Sequence, residues 1–229
     1  MNKKPEIVAQ FNTLSVRKIS GIPAKLKADD GTEHALIEPI HMCLTDLDRY
    51  DPESFSIIPS TSNQRIEAFW SKLQRDRIGW WRSFLQDLND LGVLRTDDSV
   101  SVDCARFCFM HLIRAELQRI KDDHNGHIIP SGRNSAHGPC GRPDSMYDLP
   151  HLYGDYSDQL VAIDNIEDEL EQFVTVNNFR LTDFSDEFAL FAVTAMTEDG
   201  IVGAIPPVDI NQATYLFLYF VLKIKLLES

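Results

Sequence analysis

The chain has 229 residues, of which 43% are hydrophobic and 25% charged, and this composition excludes wholesale disorder. Its longest uninterrupted apolar run, 215–222, has eight residues, whereas a membrane-spanning helix needs about 20. The formal net charge of −13 argues against an indiscriminate basic nucleic-acid binder.

The first residues do not match the pattern of a secretion leader. Met1-Asn-Lys-Lys runs directly into Pro5-Glu6, without an apolar segment after the basic residues. We therefore expect a protein that is not secreted and that resides in the nucleus or the cytoplasm. In such a compartment its four cysteines are expected to be reduced.

The amino-terminal part predicts helices separated by two short strands. In chain order, hydrophobic periodicity predicts a helix over 6–19, a strand over 24–28, a helix over 32–47 and a strand over 54–58. The first strand ends in Asp29-Asp30-Gly31, and Gly31 permits a tight exit from it. The sequence thus predicts acidic side chains at the carboxyl end of this strand.

The strongest helical pattern lies over 62–91. Thr61-Ser-Asn-Gln64 fits a capping box, and apolar residues then recur at three- and four-residue steps, with a possible bend at Gly79. The apolar stripe includes three tryptophans, Trp70, Trp80 and Trp81. We interpret them as core residues; the alternative is that they stack on splayed bases.

A second long helix is predicted over 99–124. One side carries Cys104, Phe107, Cys108, His111, Leu112 and Ala115, and the other carries Asp103, Arg106, Arg114, Gln118 and Lys121. Cys104, Cys108 and His111 share a face and could be three zinc ligands. The spacing supplies no fourth ligand, and buried apolar cysteine is the commoner case, so the pattern favours a core role.

The last third of the chain is acidic. Residues 147–229 contain 3 Lys or Arg and 15 Asp or Glu, against 19 and 20 in residues 1–146. Helices are predicted over 159–176, 185–196 and 211–227, after a segment rich in Gly, Pro, Ser and Asn. We expect three regions: residues 1–124 with the chemistry and the long helices, a loop-rich linker over 125–153, and an acidic helical tail over 154–229. The acidity could mark a separate role or simply a solvated helical surface.

Two carboxylates are placed on rigid elements. Asp29 closes a predicted strand, and Glu67 lies in the first turns of the capped helix. Oxygen ligands held on rigid elements suit Mg²⁺, and a pair of such ions about 4 Å apart stabilises the attacking and leaving oxygens of phosphoryl transfer. The alternative is that both residues serve as helix caps or dipole partners, as acidic residues at such positions often do.

The sequence around both carboxylates is distinctive. It contains Ile22-Pro-Ala-Lys-Leu-Lys-Ala-Asp-Asp-Gly-Thr-Glu33, and later Ser62-Asn-Gln-Arg-Ile-Glu-Ala-Phe-Trp70 followed by Trp80-Trp81. Downstream are Asn125-Gly-His127 and Gly141-Arg-Pro-Asp-Ser-Met-Tyr147. Over about residues 5–150, the chain resembles the integrase core domain of D,D,E transposases and retrovirus-like integrases, most closely an animal transposon-derived group.

The resemblance implies a fold and a chemistry. The fold would be α+β and mostly helical, a partial ribonuclease H-like core with two to three strands and an acidic helical carboxyl-terminal region. Asp29 matches the family's second catalytic Asp and Glu67 its catalytic Glu, so both would be ligands of Mg²⁺ or Mn²⁺. These ions would activate water or a DNA 3′-OH against a phosphodiester. The implied partner is DNA, together with a possible homo-oligomer, and no membrane.

The chain departs from the family pattern at one position. The family's first catalytic Asp lies on the first strand of the sheet, but Glu6 is the one acidic residue before Asp29. We therefore expect an amino-terminally truncated core whose catalysis is impaired, because catalytic residues that act as a unit lose most activity when one is missing. The alternative is a non-catalytic helical module, derived from a transposase, that binds DNA or protein.

Three basic residues near Glu67 are candidates for DNA contacts. Arg65 lies at the amino end of the long helix, where backbone N–H groups favour a phosphate. Lys72 and Arg75 follow within three turns. Such contacts would position the DNA backbone without reading its sequence, and the alternative is that these side chains are simply solvated.

Overall fold

The described residues are mostly helical. The computed structural model describes residues 5–44, 54–59, 64–130, 140–154, 160–162, 183–201 and 206–228. The helices are α1 (Pro5–Ile19), α2 (Ile37–Leu44), α3 (Gln64–Leu73), α4 (Gly79–Asp90), α5 (Ser99–Gly126), α6 (Pro143–Asp148), α7 (Asp186–Glu198) and α8 (Ile210–Glu228). The strands are β1 (Gly21–Pro23), β2 (Leu26–Ala28), β3 (Phe55–Ile57) and β4 (Leu160–Ala162). Within these ranges, no helix combines the length and the apolarity needed to cross a bilayer.

The strands form two separate two-stranded sheets. β2 pairs with β3 in parallel, with Leu26 opposite Phe55, and these are the two strands that the sequence predicts. β1 pairs with β4 antiparallel, with Gly21 opposite Ala162. The described part therefore holds four strands, whereas two to three were expected. β1 and β4 were not predicted because strands of three residues are too short to show a periodic pattern.

One prediction of local structure in the middle of the chain is wrong. Leu160–Ala162 form β4 rather than the start of a helix over 159–176, because a short apolar run fits either state and pairing with β1 selects the strand. The rest of that predicted helix, 163–176, lies outside the described residues. Within the predicted linker, Pro143–Asp148 form α6, whose first residue is a proline already set to a helical φ.

The remaining helices agree with the sequence pattern. α1, α5, α7 and α8 begin and end within two residues of the predicted limits. α7 begins after Ser185, whose hydroxyl oxygen accepts a hydrogen bond from the Phe188 backbone N–H, as an N-cap serine does. The predicted helix over 32–47 is present as a 3₁₀ turn at Thr32–His34 followed by α2, and 45–47 lie outside the described residues.

The chain divides into two compact units. Unit 1 comprises residues 1–69 and 127–179, and unit 2 comprises residues 70–126 and 180–229. The buried core of unit 1 is small and aliphatic, consisting of Ala9, Val16, Ile22, Ile40 and Leu44. These residues come from α1, α2 and β1, so this core supports the start of the segment that carries Asp29.

The core of unit 2 is larger and aromatic. Phe109 on α5 and Phe217 and Phe220 on α8 are almost fully buried, and the rings of Phe109 and Phe217 lie 5.4 Å apart. Asp103, predicted on the polar side of α5, is also buried, and its carboxylate accepts a hydrogen bond from the Ser185 backbone N–H at 2.9 Å. That bond ties the start of α7 to α5, and a buried carboxylate needs such a partner.

A π-helical turn changes which side of the long helix is buried. Gln74–Ile78 form this turn, and among the described side chains the next one packed inward after Leu73 is that of Ile78, five residues further on. The buried stripe then continues through Trp81 and Leu88. The core interpretation is confirmed for Trp81 but wrong for Trp70 and Trp80, which are 48% and 55% exposed.

The π turn requires glycine at its end. A Cβ on residue 79 would lie 2.5 Å from the Gln74 carbonyl oxygen, closer than real Cβ atoms come to a backbone atom. Gly79 therefore marks the change in helical phase and not merely a bend. Residues 61–63 of the predicted capping box lie outside the described residues.

Candidate metal site and its surroundings

Asp29 stands at the carboxyl end of the parallel strand pair. The preceding residue, Ala28, is buried, and its carbonyl oxygen accepts a hydrogen bond from the Ile58 backbone N–H at 2.8 Å. This bond extends the pairing one residue beyond β3, so Asp29 and Ile58 leave the sheet at the same edge. From that edge the chain continues to Pro59, and α3 begins at Gln64.

The Asp29 carboxylate is held by a histidine. The His34 ring nitrogen Nδ1 lies 2.8 Å from Asp29 Oδ1 and 3.3 Å from the Asp29 backbone carbonyl oxygen. Both oxygens are acceptors, so Nδ1 carries the proton and donates it toward them. The pair is partly exposed, at 27% for the His34 side chain and 37% for that of Asp29.

The backbone of the turn brings His34 back to Asp29. The Gly31 N–H donates to the Asp29 carbonyl oxygen at 2.8 Å, and the His34 N–H donates to the Gly31 carbonyl oxygen at 3.0 Å. Backbone hydrogen bonds therefore close the turn independently of the contact between the His34 and Asp29 side chains. His34 is absent from the candidates that the sequence pattern suggests, although a histidine five residues after Asp29, across the turn at Gly31, is a usable signal.

The other acidic candidates lie on exposed positions. Glu67 is exposed in the first turn of α3, and Asp30 is exposed next to Asp29. Across the part of the chain that the structure describes, no group of three or more His, Cys, Asp or Glu side chains is arranged to hold a metal ion. A site formed by Asp29 and Glu67 therefore stays a prediction, and it would depend on fewer than three such protein ligands among these residues.

The basic candidates lie along the same long helix. Lys72 in α3 and Arg75 in the π turn are both exposed. Arg65 belongs to the first turn of α3, and its side chain lies outside the described part. Exposure makes Lys72 and Arg75 accessible to a phosphate, and contact with DNA stays a prediction for all three residues.

The cysteines of α5 are core residues, as the sequence pattern favoured. Cys104 and Cys108 have no exposed surface, and burial raises the pKa of the Cys108 thiol well above its usual range, assisted by a hydrogen bond with Cys104. His111 donates from Nε2 to the Pro207 backbone carbonyl oxygen. A thiol held protonated and an imidazole engaged with the backbone are poor zinc ligands, since zinc binds the thiolate.

Comparison with known proteins gives a family match. The family model described as integrase core domain matches residues 1–140, which is more than half of the chain and includes both Asp29 and Glu67. No curated protein matches the chain. No solved structure matches it either.

Proposed function

The chain belongs to the integrase core domain family, and on that premise we propose that it is a transposon-derived protein related to DNA integration or transposition. Integrase core domains generally use divalent metal ions and typically bind DNA. In this proposal Asp29 and Glu67 are two carboxylates of a site for Mg²⁺ or Mn²⁺, within a partial ribonuclease H-like core. DNA is the partner, and its backbone is contacted by Arg65, Lys72 and Arg75.

The parallel pairing of β2 with β3 is the observation that supports this proposal most. The carboxyl ends of parallel strands share an edge of the sheet, so Asp29 and the chain beyond Ile58 start from the same place. The first turn of the next helix, α3, then carries Glu67. Two carboxylates that follow neighbouring parallel strands are favourably placed to converge.

The donor chemistry of these residues fits a hard divalent ion. Mg²⁺ takes oxygen ligands and is commonly bound by one or two carboxylates plus water and substrate phosphates. The His34 donor at Asp29 Oδ1 fixes the rotation of the carboxylate, so Asp29 would bind a cation through Oδ2. The bound ion would supply Lewis-acid activation of a phosphodiester, and the chain's part is to orient the two carboxylates and hold the DNA.

Catalysis by these 229 residues is expected to be impaired. No aspartate precedes Asp29, so the family's first catalytic Asp has no counterpart in them. With two carboxylates a metal ion can still bind, but a triad that acts as a unit loses most of its rate when one member is missing. We therefore expect metal binding without efficient strand transfer.

The test separates metal binding from catalysis. Mn²⁺ binding to the full chain is titrated by electron paramagnetic resonance for the wild type, Asp29→Asn and Glu67→Gln. Each variant is expected to bind Mn²⁺ more weakly than the wild type, because each removes one charged oxygen ligand. The matched control is Asp30→Asn, which removes the same charge from the exposed neighbour. Equal affinities in all four proteins would contradict the proposed site.

A non-catalytic binding module is the second candidate. The hydrogen bond between His34 and the Asp29 carboxylate favours it, because the carboxylate then has a structural role in closing the turn. This function predicts no Mg²⁺-dependent nicking of supercoiled DNA, and duplex affinity that Asp29→Asn leaves unchanged. Metal-dependent nicking that Asp29→Asn abolishes would contradict it.

The salt dependence of duplex binding tests the proposed phosphate contacts of Lys72 and Arg75. Lys72→Ala and Arg75→Ala are each expected to weaken duplex binding for all sequences, and to lower the slope of log affinity against log salt by about 1. Lys225→Ala, which removes an exposed cation from the far end of α8, is the control. A slope that is unchanged in the two variants would exclude these phosphate contacts.

A further inference from the structure

Trp80 presents a large aromatic surface that the fold does not use for burial. The phase change at the π turn directs Trp81 into the core and leaves Trp80 55% exposed. Single π turns within α-helices occur often at functional sites. Trp80 is therefore a candidate contact surface in unit 2.

The indole of Trp80 is held rigidly by its neighbours. Its ring is parallel to that of Phe84, with an interplanar angle of 6° and centroids 5.3 Å apart, which is an offset stack. Trp81 meets it edge to face at 5.1 Å. Trp81 and Phe84 both contact the buried ring of Phe109, so the support for Trp80 extends into the core.

A supported ring of this kind can extend its stack by one more planar group. One face of the Trp80 indole lies toward Phe84, more than half of the residue's surface is exposed, and the neighbouring rings fix its orientation before any ligand arrives. A nucleobase whose pairing is open supplies such a planar group, and stacking on aromatic side chains is the usual way in which proteins hold unpaired bases.

The charge around Trp80 selects an anionic ligand. From Lys72 to Arg82 the chain carries four Lys or Arg and one Asp, a local net charge of +3 in a protein of net charge −13. The side chains of Lys72, Arg75 and Arg82 are exposed, and at ~1.5 Å rise per residue all lie within about 12 Å of Trp80 along the helix. A basic stretch with an aromatic platform suits a phosphodiester chain with splayed bases better than an apolar protein surface.

We propose that Trp80 is a stacking platform for an unpaired nucleotide of DNA, with Lys72 and Arg75 holding the adjoining phosphates. This rests on DNA being the partner of the chain, and it adds a preference for distorted or single-stranded segments. The platform lies in unit 2, whereas Asp29 and Glu67 belong to unit 1, so the carboxylates and the platform are tested by different variants.

The experiment compares a short fluorescein-labelled oligothymidine with a duplex of the same length, both bound to the full chain at one fixed salt concentration. Trp80→Ala is expected to weaken oligothymidine binding by about fivefold to a hundredfold, the loss of one base stack, and to change duplex binding much less. Trp80→Phe keeps a π face and is expected to retain most of the affinity, whereas Trp80→Leu keeps apolar surface alone and is expected to bind as Trp80→Ala does.

The control is Tyr215→Ala, which removes another exposed aromatic ring of unit 2, on a helix without a basic cluster. Circular dichroism melting shows whether each variant is folded. If Trp80→Ala does not fold, the comparison of Trp80→Phe with Trp80→Leu tests the stacking proposal. Wild-type affinity in Trp80→Leu would overturn the proposal, because oligothymidine binding would then not need a π face at residue 80. Duplex binding without any dependence of oligothymidine binding on Trp80 would overturn the platform alone, and absence of binding to either DNA would overturn the proposed partner as well.

Discussion

The two units differ in how they are stabilised and in what they carry. The described part of unit 1 holds a small aliphatic core, strands of three residues each, and the carboxylates Asp29 and Glu67. Unit 2 holds long helices around interlocking aromatic rings. Burial of large rings contributes more free energy per residue than burial of Ala or Val. The residues proposed for chemistry therefore lie in the unit whose described core is aliphatic rather than aromatic.

The largest effect is expected from the aromatic core of unit 2. Phe217→Ala removes a ring with no exposed surface and leaves a cavity, which should lower the free energy of unfolding by about 3–5 kcal/mol. Urea denaturation measures this loss. Hydrogen exchange should show that amides of α5 and α8 lose more protection than those of α1.

The same helix supplies the comparison for that variant. Tyr215 is two residues from Phe217 and is 71% exposed, so Tyr215→Ala should change the free energy of unfolding by less than about 1 kcal/mol. Equal losses for the two variants would mean that the burial of Phe217 is not what stabilises unit 2.

A smaller effect, with an unusual sign, is expected at the π turn. In an ordinary helix interior Gly→Ala stabilises by about 0.5–1 kcal/mol. At residue 79 the added Cβ meets the Gln74 carbonyl oxygen at 2.5 Å, so Gly79→Ala should destabilise by about 1–3 kcal/mol. Urea denaturation gives the sign, and Ser83→Ala, an exposed position of α4, is the control. Stabilisation by Gly79→Ala would contradict the π turn.

The smallest effect is a pH dependence at the end of α7. The Asp199 carboxylate accepts hydrogen bonds from Lys223 Nζ at 2.8 Å and from the Tyr219 hydroxyl at 2.7 Å. The hydrogen bond from Lys223 is the main cause of a lowered pKa of Asp199, and the bond from Tyr219 adds to it. Burial, followed by the hydrogen bond with Asp199, raises the pKa of Tyr219 to about 12. A lowered carboxyl pKa gives stability that is lost as pH falls below about 4, and a raised tyrosine pKa gives stability that is lost as pH rises from about 10 to 12.

Asp199→Asn tests both arms of this dependence. The difference in Tm between the wild type and the variant should be largest near neutral pH and should shrink in acid and in strong alkali. Thermal melts across this pH range measure it. A difference that does not vary with pH would mean that the Asp199 charge does not contribute.

The sequence predicts regular helices well and phase changes poorly. Apolar spacing placed α1 and α5 nearly at their observed limits, because each keeps one period throughout. The same periodicity placed Trp80 inside, since an uninterrupted α-helix leads inward from Leu73 to position 77 or 80. The five-residue step to Ile78 has no signal in composition, and Gly79 indicated only a bend.

Strand pairing between distant parts of the chain was the second feature that the sequence did not predict. β2 and β3 alternate enough to be predicted, but β1 and β4 have three residues each and pair across about 140 positions, so neither carries a local signal. The position of Asp29 at a strand end was predictable, because a strand pattern stops there at Gly31. Its contact with His34 depends on how the turn closes, which the spacing alone did not indicate.

A crystal structure of the full chain grown with Mn²⁺, with the ion located by its anomalous scattering, would test the proposed metal site directly. The proposed site requires one Mn²⁺ bound by carboxylate oxygens of both Asp29 and Glu67, at about 2.2 Å, with His34 still donating to Asp29 Oδ1. Carboxylates of Asp29 and Glu67 that lie too far apart to share an ion, with Mn²⁺ elsewhere or absent, would contradict it.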